Sequence, residues 1–115
     1  MVEIIAIVRR NRAAATKQEL ARIGCPGYFQ FPVLGRGRQR GLRDQDGGAG
    51  LRFLPKVLFR VVVDDQQAAE VIEAMVRANQ TGQFGDGRIF VIEATASYRI
   101  STSGQEPRQA VEVPA

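Results

Sequence analysis

An α+β sandwich with element order β-α-β-β-α-β is the fold that the sequence predicts. Two apolar, β-branched runs, Glu3 to Val8 and Phe53 to Val63, have the length and composition of strands. Between them and the chain end, positions 68, 71, 72, 75, 76 and 79 recur at i, i+3, i+4, i+7, i+8 and i+11, the spacing of one helix face. The strand–helix–strand pattern occurs twice in 115 residues, enough chain for one core and no second domain.

The elements follow in order. Glu3 to Val8 reads as a buried strand, ended by Arg9 to Arg12, with Asn11 placed to cap the next helix. Ala13 to Ile23 is rich in helix formers and sets Thr16, Leu20 and Ile23 on one face. Gly24 suits the C′ position that stops it, and Cys25-Pro26-Gly27 is a turn. Tyr28 to Leu34 forms a second strand with Phe29, Phe31 and Val33 on one side. Pro32 lacks a ladder donor and assigns that strand to an edge or a bulge. From Gly35 to Arg52 glycines alternate with charged residues, which predicts a long flexible loop of the kind that carries function.

Phe53 to Val63 resumes strand character, and Asp64 and Asp65 offer an N-cap to the second helix. Met75 belongs to that helix's core stripe. Thr81 to Gly87 is a second glycine-rich loop, with Gly82 available as a helix C-cap. Arg88 to Ala94 is a strand and Tyr98 to Ser101 a shorter one. One domain over residues 1–103 is expected, with a tail over 104–115 that is disordered or locally docked. The order suggests the ferredoxin-like sandwich, whose helices cover one face of the sheet. The other face, with Phe59 and the valines around it, then needs a cover, and oligomerisation is the simplest one.

Composition excludes several chemistries. The chain has no histidine, so Ser–His and Cys–His nucleophilic sites are absent, together with the commonest metal ligand. Cys25 is its one cysteine and has no partner for a disulfide or a thiolate metal site. Asp64 and Asp65 are adjacent and diverge, and Asp86 has no evident acid–base partner, so the chain reads as no enzyme. The apolar runs are too short to span a bilayer, and a strand begins at once in place of a signal peptide. A soluble cytoplasmic domain without membrane insertion is expected.

Two segments carry candidate chemistry. In Gly35-Arg36-Gly37-Arg38-Gln39-Arg40-Gly41, glycines let the backbone approach a phosphate and arginines add forked donors. It matches neither the P-loop nor the dinucleotide fingerprint, and a solvated hinge loop is the plain alternative. In Thr81-Gly82-Gln83-Phe84-Gly85-Asp86-Gly87-Arg88, the glycines around Asp86 suit an anion-binding nest with Arg88 as charge partner. The alternative there is an ordinary helix-to-strand connection. The net charge of +4 also suits nucleic acid, but base stacking needs aromatic residues beside the basic loop and only Phe53 is close. A small nucleic-acid-binding α+β domain using the arginine-rich loop therefore ranks second, and no nucleic acid is expected as partner.

These two segments, with Leu54-Pro55-Lys56, Ile89-Phe90-Val91 and Tyr98-Arg99-Ile100, resemble the PII nitrogen-regulatory signal-transduction family over roughly residues 1 to 101. The resemblance implies a homotrimer, or a mixed trimer with a paralogue, with three inter-subunit clefts that bind ATP or ADP. It implies nucleotide contacts from Gly35, Gly37, Arg38, Gln39, Val62, Gly85, Asp86, Gly87 and Arg88, and from Arg99 of the neighbouring subunit. It further implies a magnesium site that Gln39 completes with the nucleotide phosphates when 2-oxoglutarate binds, and a pairing of Lys56 with a carboxylate of that acid. The loop from Arg36 to about Phe53 corresponds to the family's T-loop, through which a nitrogen-metabolism target is controlled.

The sequence departs from the family pattern in places. The loop tyrosine that many members have uridylylated is absent from Arg43 to Leu51. Ser101 stands where the pattern has a second arginine, and losing a phosphate-facing guanidinium costs about 1–3 kcal/mol of binding. That favours, as an alternative, a regulator of a transporter or carbon-metabolism target that binds ADP or AMP. Phe29 replaces a small polar residue near the adenine, and Arg88 replaces a lysine. The Val33 to Gly41 run and Phe84 are most similar to the nitrogenase-associated members, whose target is dinitrogenase.

Overall fold

The computed structural model describes residues 1–36 and 53–106. Strand β1 (Val2–Arg9) runs through a short 3-10 turn, Arg10–Arg12, into α1 (Ala13–Arg22). Then come β2 (Phe29–Gly35), β3 (Leu54–Val63), α2 (Asp65–Asn79), β4 (Gly87–Glu93), β5 (Ser97–Arg99) and β6 (Gly104–Glu106). The first four strands form an antiparallel sheet in the order β2-β3-β1-β4, and β5 and β6 form a separate hairpin. This is the expected α+β sandwich.

Strand β1 is central. It pairs with β3 from Val2↔Val63 to Arg9↔Lys56, and with β4 from Val2↔Glu93 to Val8↔Gly87. Side chains alternate between faces, so Ile4, Ala6 and Val8 point to the helices with Val57, Phe59, Val61 and Val63 of β3. Leu20 of α1 and Val71 and Met75 of α2 close that core. A one-residue slip of β3 would turn Phe59 and three valines outward. At about 1.5–3 kcal/mol per side chain this is comparable to the whole stability of a domain, so the register is fixed.

Local chemistry sets the helix ends. Gly24 adopts φ 71°, its N–H bonds Ala21 O at 3.0 Å, and Cys25 N–H bonds Leu20 O at 2.9 Å, the paired bonds of a Schellman stop. Asp64 caps α2 by accepting from Gln67 N–H at 3.0 Å. Asn11 does not cap α1: it lies inside the 3-10 turn, and Arg12 holds the cap position without a side-chain bond. Nor does Gly82 cap α2, because Gln80 ends that helix in an extended conformation and its N–H bonds Val76 O at 2.8 Å. Strand β6 lies in a stretch whose sequence has no apolar period, and it exists through pairing with β5.

Phe59 is also differently placed from expectation. It is fully buried under the helices, with its ring 5.6 Å from that of Tyr28. The uncovered face carries the other parity: Ile5 and Ile7 of β1, Phe29 and Phe31 of β2, Leu58 and Val62 of β3, Phe90 and Ile92 of β4. Phe29, Phe31, Phe90 and Ile92 are each more than two-fifths exposed. Pro32 sits on β2, an edge strand, where its missing N–H breaks no ladder.

Candidate functional site

The open face ends in charge. Arg9 closes β1 directly opposite Lys56 of β3, and both follow the parity of the uncovered face. Gly35, at the end of β2, lies against Lys56; a Cβ there would meet Lys56 Cγ at 3.4 Å. The loop between α2 and β4 folds onto this corner. Arg9 Nη1 donates to Asp86 Oδ1 at 2.9 Å and Arg9 Nη2 to the Phe84 carbonyl at 2.9 Å. Lys56 Nζ donates to the Gly85 carbonyl at 3.1 Å.

Asp86 ties the loop to itself as well. Its Oδ2 accepts from Thr81 N at 2.6 Å and Gly82 N at 2.8 Å, and its Oδ1 accepts from the Thr81 hydroxyl. These donors, Thr81's first, with Arg9 adding to them, hold its pKa far below the usual carboxylate range. Lys56 is buried, and burial, reinforced by the neighbouring Arg9, lowers its pKa while Asp86 opposes the shift. The loop ends at Gly87, with φ 121°. A Cβ there would stand 2.1 Å from the Ile7 carbonyl oxygen, so only glycine lets β4 close on β1. Arg88 follows, exposed and opposite Ile7 on the open face.

Of the residues singled out from the sequence, Gly35, Lys56, Gly85, Asp86, Gly87 and Arg88 gather at this corner. Val62 shares the open face but stands six residues along β3 from Lys56, about 20 Å away. Arg99 is on the β5–β6 hairpin, where it donates to Glu106 at 3.0 Å. Gly37, Arg38 and Gln39, with most of the arginine-rich loop, lie outside the described residues. Arg9 was not singled out. Its signal was parity: a cation that ends an apolar strand on the face opposite the core.

A groove of about 430 Å³ lies between α2 and β4 and reaches the same corner, since Asp86, Gly87 and Arg88 form part of its lining. Val8, Ile72, Met75, Val76 and Ile89 make its apolar half, and Asn79 and Gln80 line it beside the loop residues. Among the described residues no cluster of acids and cysteine has metal-ligating geometry, and no helix is long and apolar enough to cross a membrane.

Two cations, Arg9 and Lys56, face one carboxylate beside a glycine-rich loop, and the exposed Arg88 follows that loop on the open face. Glycine-loop amides beside arginine and lysine side chains are groups whose chemistry suits an anion. The profile of the family described as nitrogen regulatory protein P-II matches residues 1–104, and the chain belongs to that family. Among its relatives, the Nitrogen fixation nifHD1 region GlnB-like protein 2 of Methanosarcina barkeri is 36% identical, over 89% of this chain and 93% of the relative. Nitrogen regulatory protein P-II 2 of Methanothermobacter thermautotrophicus is 38% identical, over 96% and 97%. Nitrogen regulatory protein P-II of Pasteurella multocida is 37% identical, over 96% and 100%. Proteins of this family are signal transducers and not enzymes, and the resemblance to nitrogen-fixation-associated members agrees with the names of several relatives.

Proposed function

We propose that the chain senses adenine nucleotide, ATP or ADP, together with 2-oxoglutarate, and controls a nitrogen-metabolism target such as dinitrogenase through the loop over residues 36–53. The observation that carries this reading is the convergence of Gly35, Lys56 and the 81–88 loop on one corner of the open face. Gly35, Gly85, Gly87 and Arg88 take the phosphates, with Gly37, Arg38 and Gln39 of the adjoining loop and Arg99 of a neighbouring subunit. The adenine lies toward Val62, and Asp86 serves through the loop it closes. Lys56 exchanges the Gly85 carbonyl for a carboxylate of 2-oxoglutarate, and Gln39 completes a magnesium site with the phosphates.

The apolar open face supports a trimer: a second and third copy would cover Phe29, Phe31, Phe90 and Ile92. Membership of this family supports a cytoplasmic location. Ser101 on the hairpin turn favours one variant of this reading, a preference for ADP or AMP over ATP with a transporter or carbon-metabolism target.

Titration calorimetry with ATP, ADP and AMP, each with and without 2-oxoglutarate and magnesium, tests the proposal. About one site per subunit with mutual enhancement between ATP and 2-oxoglutarate is expected. No heat with any of the three nucleotides would refute it. Native mass spectrometry reads the trimer, and pull-downs from a nitrogen-starved and a nitrogen-replete extract identify the target.

A further inference from the structure

We propose that Asp86 is a positioning residue, a clasp that shapes the 81–88 loop for an anion it does not itself touch, with Arg9 as the anchor of that clasp. The inference rests on the nucleotide reading for its ligand and on geometry for its mechanism.

Both oxygens of the Asp86 carboxylate are engaged. Oδ1 takes the Thr81 hydroxyl and Arg9 Nη1, and Oδ2 takes the amides of Thr81 and Gly82. The Thr81 hydroxyl also accepts from Gln83 N at 3.3 Å, so the turn is cross-braced from within. From outside, Arg9 holds Asp86 and the Phe84 carbonyl to β1, and Lys56 holds the Gly85 carbonyl to β3. With the Gly87 contact on Ile7, consecutive residues from Phe84 to Gly87 are each fastened to the sheet. Their placement decides where the loop amides and Arg88 stand.

A negative group one residue from Gly85 and Gly87 and two from Arg88 is otherwise a liability in a polyanion site. By Coulomb's law its neutralisation should tighten anion binding. The clasp predicts the opposite sign, because an amide in its place presents an N–H₂ to donors that need acceptors. Binding that weakens when a negative charge is removed beside a polyanion marks a structural brace and not a ligand contact.

The test uses the full-length protein with ATP as probe, at constant ionic strength. Asp86→Asn is expected to lower ATP affinity at least tenfold while secondary structure and oligomeric mass stay as in wild type. Thr81→Val lowers it in the same direction and Thr81→Ser restores it to within about twofold, since serine keeps the hydroxyl donor. Glu70→Gln on the exposed side of α2 serves as the charge control and leaves affinity within about twofold. Equal or tighter ATP binding by Asp86→Asn overturns the clasp, as does equal binding by Thr81→Val and Thr81→Ser.

Amide exchange without ligand separates this inference from the nucleotide reading. The Thr81 and Gly82 amides should be protected in wild type and exchange faster in Asp86→Asn or, if that variant does not fold, in Thr81→Val. Unprotected amides in wild type overturn the clasp whether or not ATP binds. Protected amides in a wild type that binds no ATP uphold the clasp and refute the nucleotide reading.

Discussion

Replacing Gly87 by alanine tests how tightly the candidate loop is keyed to the sheet. Two effects add. At φ 121° a non-glycine residue is strained, typically by about 1–3 kcal/mol. The new Cβ would also stand 2.1 Å from the Ile7 carbonyl oxygen, a backbone atom of the central strand that has no freedom to swing aside. Relief requires β4 to lift from β1 at the Val8↔Gly87 pair, with loss of a ladder hydrogen bond worth about 1 kcal/mol. The total is roughly 2–4 kcal/mol. Gly82 supplies the control, because it too has a positive φ of 84° but open space where its Cβ would go. Gly82→Ala therefore carries strain alone. Urea unfolding at one fixed protein concentration should show Gly87→Ala less stable than Gly82→Ala by at least about 1 kcal/mol, as the lost ladder bond alone requires. Equal stabilities would refute the reasoning, since the steric contact would then carry no weight.

Acid should weaken the fold through two carboxylates. Asp86 and Glu19, the latter held by Arg22 at 2.9 Å and Arg77 at 3.1 Å, both have pKa values lowered from 3.8 and 4.5. Groups with depressed folded values add stability above their unfolded pKa and lose it as pH falls, so urea midpoints should drop below about pH 4.5. Asp86→Asn and Glu19→Gln should each flatten that fall. Burial raises the pKa of Cys25, so iodoacetamide at pH 8 should alkylate it more slowly in the folded protein than in urea, read by intact mass. Buried Asn79 Nδ2 donates to Thr16 Oγ1 at 2.9 Å and to the Met75 carbonyl at 2.8 Å. Thr16→Val leaves one of those donors unpaired and should cost about 1–3 kcal/mol, and a double-mutant cycle with Asn79→Leu should show coupling. Additive single effects would refute that link.

The elements with local signals were legible. The α2 stripe, the Asp64 cap and the Gly24 stop each depend on residues within one or two turns of each other. Strand β3 shows where legibility fails. Val57 to Val63 is apolar on both parities apart from Arg60, so the sequence does not say which face Phe59 joins, and only pairing with Ala6 settles it. The glycine-rich loop could be named a nest from its composition, but the fastening could not: Arg9 is 77 residues from Asp86 in the chain. Strand β6, with no apolar residue among Gly104, Gln105 and Glu106, is defined by its partner alone.

The central position of β1 has a kinetic consequence. Strand β1 is synthesised before β3 and β4, both of which require it, and its Val2 pairs with Val63 and Glu93. Its apolar Ile4, Ile5 and Ile7 stay without a partner until much of the domain has been synthesised, and folding must close long loops before those contacts repay the entropy. Refolding should be slow for so small a chain, and nascent fragments that stop short of β4 should be prone to aggregate.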